Sequence, residues 1–380
     1  MGKKYELMKD YTHTTLSRDG KPVTLYRIKA LKNFTCDKRD VHIGDIGGYI
    51  ESEDNLSHEG NCWVFDNAKV KGNAVVSGDA KVCHNACIFD DAKVYDNCRI
   101  SVNARIFENA EVFGDANVYD DAMICDNTKI YGNVHIYGNA IIYDNAEIYD
   151  NAQVHGVTRI EDNANVYGNA RIYHHSQICD NAHVYGDALV HDSKVRNYAK
   201  VYGDAQVYRR SSINGQSIVR DEARVKSGIV GGKAEISDKG EVHGFPDSIP
   251  VVNENAKVYD NAIIYDRALV HGNAEVYGNA KVIHNAEVYG NAKVYDSGLI
   301  CDKACVYDDT EVYGNARVSG KAEIYNNAHI YDNAEVSGNA EVYGNTKIHG
   351  KTRISGNAQV FDDTDISDDI EIKEDTEIRN

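Results

Sequence analysis

Ala274-Glu275-Val276-Tyr277-Gly278-Asn279 is one copy of a six-residue unit that decides the fold, and Ala110-Glu111-Val112-Phe113-Gly114-Asp115 is another. Each reads small, variable, aliphatic, aromatic, then two turn residues. Strand alternation places the Ala and the aliphatic on one face and the variable residue and the aromatic on the other. Gly, Asp and Asn follow because they tolerate the left-handed backbone of a sharp corner. A strand of about four residues and a corner of about two is too short to reverse as a hairpin, so the chain must wind. Outward from these copies, a Val or Ile recurs at every sixth position from Val64 to Val190 and again from Val258 to Ile378. Between these runs the repeat is disturbed, with short steps at Val190 to Val195 and Val225 to Val230 and an insertion around Gly244 to Val252.

The number of sides follows from the period of the outward residues. Aromatics recur every 18 residues as Tyr95, Phe113, Tyr131, Tyr149, Tyr167 and Tyr185, then as Tyr259, Tyr277, Tyr295, Tyr313 and Tyr331, and as Tyr289, Tyr307, Tyr325, Tyr343 and Phe361. The remaining side of the second half reads Ile283, Cys301, Ser319, Ser337 and Ser355. Charges obey the same period with alternating sign, as in Lys93, Glu111, Lys129 and Glu147, or Lys257, Glu275, Lys293 and Glu311. Stacked strands lie about 4.8 Å apart, where like charges would repel, so the alternation supports three strands per coil and roughly 17 coils. The expectation is an all-β, single-stranded parallel β-helix. Residues 1–60 form a capping segment, with a β-hairpin around Arg18-Asp19-Gly20-Lys21, and residues 61–380 form the coils, irregular at 191–257. No single coil buries enough apolar surface to offset its ordering entropy, so neighbouring coils must stabilise one another.

Composition narrows the function. Forty-one basic against 59 acidic side chains leave a net charge of -18, which disfavours direct binding to nucleic acid or an anionic membrane. Apolar residues are spread too evenly for a membrane-spanning run. The opening Met1-Gly2-Lys3-Lys4-Tyr5-Glu6-Leu7 lacks the apolar stretch of a secretion signal, so a cytoplasmic location is expected. Nine cysteines, with no C-x-x-C spacing, read mainly as free thiols. Cys62 and Cys98 stand where the repeat has Ala and should be core residues. Cys83/Cys87 and Cys301/Cys305 each flank one turn and leave a disulfide or metal role open.

The unit Val276-Tyr277-Gly278-Asn279-Ala280-Lys281 resembles the hexapeptide repeat of the left-handed β-helix superfamily, over about five sixths of the chain. Left-handed winding is implied by that resemblance alone. The stretch Gly44-Asp45-Ile46-Gly47-Gly48-Tyr49-Ile50, continued through Gly60-Asn61-Cys62-Trp63-Val64, is similar to that of the YdcK-type proteins, bacterial and prophage-borne chains labelled as transferases from their repeat. Many hexapeptide-repeat relatives are acyltransferases in which a His activates the acceptor and the pantetheine arm lies between trimer subunits. The resemblance therefore implies acetyl-CoA or another acyl-CoA as cofactor if the chain is an enzyme. On that reading His243 is the general base and Asp247 its orienting partner. The chain lacks the long loop and terminal helix of those enzymes.

The main reading is noncatalytic, with no cofactor. It is a recognition or scaffold protein whose Tyr95, Phe113, Tyr131, Tyr149, Tyr167 and Tyr185 column offers a rigid contact surface to a protein or polysaccharide. The Ser/Cys side could serve a homo-oligomer. A further alternative is an acidic nucleic-acid mimic of phage defence or counter-defence, against which the alternating Lys and Glu columns speak. No metal ligand set is assigned, although His155 and His191 share a face with Tyr173 between them and His174-His175 sits on a corner nearby. His135, His183 and His329 read as solvated members of charge columns.

Overall fold

The computed structural model describes residues 2–380. Among the described residues the chain is all-β apart from one 3-10 turn at Glu53–Asn55, and it divides into two compact units, Met1–Asp187 and Ala188–Asn380. Among the described residues no helix is long and apolar enough to cross a membrane.

In the first unit three parallel ladders run side by side. One joins Lys69–Val70 to Cys87–Ile88, Arg105–Ile106 and onward to Gln177–Ile178. A second runs from Val75–Val76 to His183–Val184, and a third from Trp63–Val64 to Arg171–Tyr173. The second unit repeats the plan, for example from Lys257–Val258 through Glu275–Val276 and Lys293–Val294 to Glu311–Val312. Partners such as Val94 and Val112 differ by the 18 positions that the aromatic and charge columns require.

Ladder strands of two or three residues are shorter than the expected four. The hydrogen bonding nevertheless spans the hexad. Lys93 N, Tyr95 N and Asn97 N donate to Ala110 O, Val112 O and Gly114 O at 2.9, 3.1 and 2.9 Å. Inside, the Val, Ile and Ala columns are fully buried, Val112, Ile130 and Ala110 among them. Where Thr or Ser replaces the Ala, its hydroxyl returns to a carbonyl three residues back, as Thr310 Oγ1 does to Tyr307 O at 2.7 Å. That bond satisfies a polar group which would otherwise be costly to bury.

The cap is larger than the sequence suggests. Strand β1 (Tyr5–Leu16) pairs antiparallel with β2 (Pro22–Ala30), with a register shift between Met8 and Thr12. A second hairpin, β3 (Phe34–Cys36) with β4 (Arg39–Val41), was not anticipated. Strand β5 (Ile46–Ile50) then pairs antiparallel with β2 and parallel with Lys69–Val70, so parallel coiling starts ahead of residue 61. Tyr5 and Trp63 are buried against each other, and the Tyr5 hydroxyl donates to Leu56 O at 2.7 Å. The ammonium of buried Lys4 caps backbone carbonyls at Cys62 and Gly60, at 3.0 and 3.2 Å.

Candidate recognition surface

Corners come first, because they fix where the outward side chains stand. Asp144 adopts φ 59°, and Asp126, Asp162 and Asp180 on the same corner do likewise. Their carboxylates accept backbone N–H groups one coil on, with Asp126 Oδ2 to Asp144 N at 3.1 Å and Asp144 Oδ2 to Asp162 N at 3.2 Å. Beside them run amide ladders such as Asn109 to Asn127 and Asn127 to Asn145, at 3.1 and 3.2 Å. Much of the chain's acidity is thus spent on holding corners in register. The paired doublets behave the same way: Asp120 accepts from Gly138 N and Asp121 from Asn103 Nδ2.

Between corners the aromatics form rows. Ring centroids from Tyr95 through Phe113, Tyr131, Tyr149 and Tyr167 to Tyr185 are separated by 4.9, 5.0, 5.0, 4.8 and 4.7 Å, with interplanar angles of 8° or less. Tyr259 to Tyr331 and Tyr289 to Phe361 stack in the same manner. Two members escaped the sequence reading, since His349 continues the first of these rows and His271 begins the second. A row of Tyr119, Tyr137, His155 and Tyr173 was also missed because the imidazole breaks the run of Tyr.

Parallel rings at these separations are offset stacks, a favoured arrangement of aromatic quadrupoles. Each interior ring spends both faces on its neighbours and leaves its edge and hydroxyl outward, half-buried. Burial, with the neighbouring phenols and carboxylates, pushes Tyr149 up to about 12. Burial and Glu341 do the same for Tyr325, also to about 12. Some hydroxyls donate to acidic neighbours, as Tyr259 does to Glu275 at 3.2 Å and Tyr295 to Glu311 at 3.1 Å. The flanking charge columns pair as expected, with Lys93 to Glu111 at 2.8 Å and Lys257 to Glu275 at 3.5 Å.

His243 and Asp247 are not brought together as a base and its orienting carboxylate. His243 lies beside Phe245 and Tyr265, with centroids 5.8 and 5.1 Å away. Its buried Nε2 has no hydrogen-bond partner, and burial together with Lys226 holds its pKa below the usual value. The loop closes on itself through Phe245 N to Ser248 O at 2.8 Å, and the backbone carbonyl of Asp247 accepts from Arg267 at 2.8 Å.

Cys83, Cys87, Cys301 and Cys305 are free thiols, so neither pair is a disulfide. Cys62 and Cys98 are buried core residues, and burial pushes Cys98 up to about 12. Cys301 is buried although it sits on the outward side, and burial pushes its thiol up. Three corner groups bring possible ligand atoms within 4.8 Å of one another: Asp66 with Cys83 and His84, Glu108 with Cys125 and Asp126, and Asp162 with Cys179 and Asp180. Asp126 is already committed to a backbone N–H, and burial with Asp126 beside it holds the Cys125 thiol protonated, up to about 12. That is a poor start for a metal thiolate. His155 stacks between Tyr137 and Tyr173 at 4.6 and 5.2 Å, so both of its faces are taken.

Residues 176–192 match the family model described as the YdcK β-solenoid repeat. Over 70 residues the chain is 36% identical to a protein of Escherichia coli (strain K12) named "Uncharacterized acetyltransferase YdcK". The match covers 18% of this chain and 20% of that protein, so the chain spans about a fifth of its relative's length. The described residues form a β-solenoid of parallel hexad ladders, and over these stretches the chain is similar to the YdcK β-solenoid repeat.

Proposed function

We propose that the chain is a noncatalytic recognition scaffold that presents rows of tyrosine edges and hydroxyls to a protein partner. The observation that carries this reading is the parallel stacking of Tyr131, Tyr149 and Tyr167, which fixes the rings at low entropic cost to a partner. A polysaccharide would use ring faces, and inside a row those faces are already covered. Free thiols such as Cys36, Cys83 and Cys98 fit a reducing, cytoplasmic setting. The test is affinity capture with the chain and with its Tyr131→Ala, Tyr149→Ala, Tyr167→Ala triple variant. Loss of a specific captured protein in the variant supports the reading, and an unchanged captured set removes it.

The acyltransferase alternative draws on the name of the Escherichia coli relative. His243 and Asp247 lack the hydrogen bond that the role asks for, so calorimetry with acetyl-CoA at millimolar concentration is expected to give no saturable heat. Nucleic-acid mimicry fares worse, because corner carboxylates such as Asp120 and Asp144 are turned onto backbone N–H groups.

A further inference from the structure

The β3–β4 hairpin overhangs one corner of the first unit and encloses a concavity of about 430 Å³. That is within the range of about 300–1,000 Å³ typical of small-molecule clefts. Nothing in the hexad repeat requires this overhang, and it is firmly held. Phe34 packs edge-on against Trp63 at 5.4 Å, and Cys36 is buried. The Arg39 guanidinium lies 4.3 Å over the Phe65 ring and 3.6 Å from Asp66. At the hairpin tip, Asp37 pairs with Lys81 at 3.4 Å and with Arg99. The wall is therefore preorganised.

The lining chemistry is specific. Four amides, Asn61, Asn97, Asn117 and Asn133, share it with the Thr35 hydroxyl and with Asp79 and Asp115. One oxygen of each of these carboxylates is used internally, with Asp79 Oδ1 accepting Asn61 N at 2.8 Å and Asp115 Oδ1 accepting Asn97 Nδ2 at 3.1 Å. Asn117 Nδ2 donates to Asp115 O at 2.9 Å. The other carboxylate oxygens, the Asn97 and Asn117 carbonyls and the whole Asn61 side-chain amide have no protein hydrogen bond among the described residues. Acceptors and donors thus face the same small space.

Charge and polarity narrow the occupant. Arg99, the one cation among the lining residues, is outnumbered by Asp37, Asp79 and Asp115, so an anion would meet a net negative wall. An apolar ligand would find no apolar side chain in the wall. A compact neutral molecule that both donates and accepts in many directions fits, which is the chemistry of sugar hydroxyls. We propose that this concavity is a binding site for a neutral sugar residue. No member of the tyrosine rows is among its lining residues, so either reading can fail without the other.

The experiment applies the full chain to an array of defined glycans, with Asn117→Trp to fill the concavity and Asn97→Ala to remove one amide. Asn117 points outward in a row with Arg99 and His135, so a large side chain there is compatible with the coil. Should circular dichroism show Asn117→Trp misfolded, Asn97→Ala alone carries the test. The expected result is retention on at least one neutral glycan, competed by its free monosaccharide and weakened about tenfold or more in the variants, as loss of buried hydrogen bonds implies. The Tyr131→Ala, Tyr149→Ala, Tyr167→Ala variant should bind as the parent does. Retention on no glycan or only on anionic ones, or unchanged binding by the folded variants, overturns the proposal.

Discussion

At the residue scale the corner carboxylate is the feature that repeats most often and explains most. Asp296 holds φ 54° and accepts Gly314 N at 3.2 Å, combining a backbone conformation and a bond that only a short acceptor supplies together. Asp296→Val should cost about 2–3 kcal/mol, from left-handed strain on a β-branched residue and the lost bond. Asp296→Gly relieves the strain and should cost only about 1 kcal/mol. Urea unfolding of the two variants checks the order, and equal losses would mean that the corner stores no strain. Sequence reading identified these positions as turns from Asp, Asn and Gly. It did not show that the carboxylates turn onto the next coil, because composition reports a charge and not the direction of its oxygens. His243 and Asp247 stand close in the chain without a hydrogen bond between them, and chain proximity does not reveal how a loop closes.

At the scale of the element, each aromatic row gains from neighbours on both sides. Tyr325 stacks on Tyr307 and Tyr343, whereas Phe361 has Tyr343 alone. With about 0.5–1.5 kcal/mol per aromatic pair, Tyr325→Ala should lose roughly twice the stacking energy of Phe361→Ala. Thermal unfolding of both variants measures the ratio. Rows also carry a pH signature. Burial lifts Tyr149 and Tyr325 from the ordinary 10.0 to about 12, so the folded state holds their protons more tightly than the unfolded chain does. Their contribution is complete below pH 10.0 and drains as pH climbs toward about 12. Phenolate absorbance should therefore rise at higher pH in the folded chain than in urea, and coincident titrations would contradict the stacked, desolvated rows. Beneath the rows, Ile130→Ala should cost about 2–5 kcal/mol, since the fully buried side chain leaves a cavity between Val112 and Ile148. Chemical denaturation gives that value directly.

Taken over the whole molecule, the coils were legible because three independent patterns, aliphatic, aromatic and charged, share one period. Val112 is buried and Tyr131 faces Tyr149, as that period requires. The cap was less so. Strands β3 and β4 have three residues each and no alternation long enough to register, yet they create the polar concavity beside Arg99 and Asn117. Strand β5 blurs the expected boundary because it belongs to the hairpin sheet and to the first coil at once. The aromatic rows were legible only as outward side chains, because the sequence does not show the stacking that hides their faces. The most direct test of the tyrosine rows is photo-oxidative dityrosine cross-linking of the native chain, with the linked peptides mapped by mass spectrometry. Links should join residues one coil apart, Tyr131 to Tyr149 and Tyr149 to Tyr167, where stacked rings lie 5.0 and 4.8 Å apart. Equal yields between sequence neighbours such as Tyr131 and Tyr137, which lie on different ladders, would contradict the rows and the recognition surface built on them.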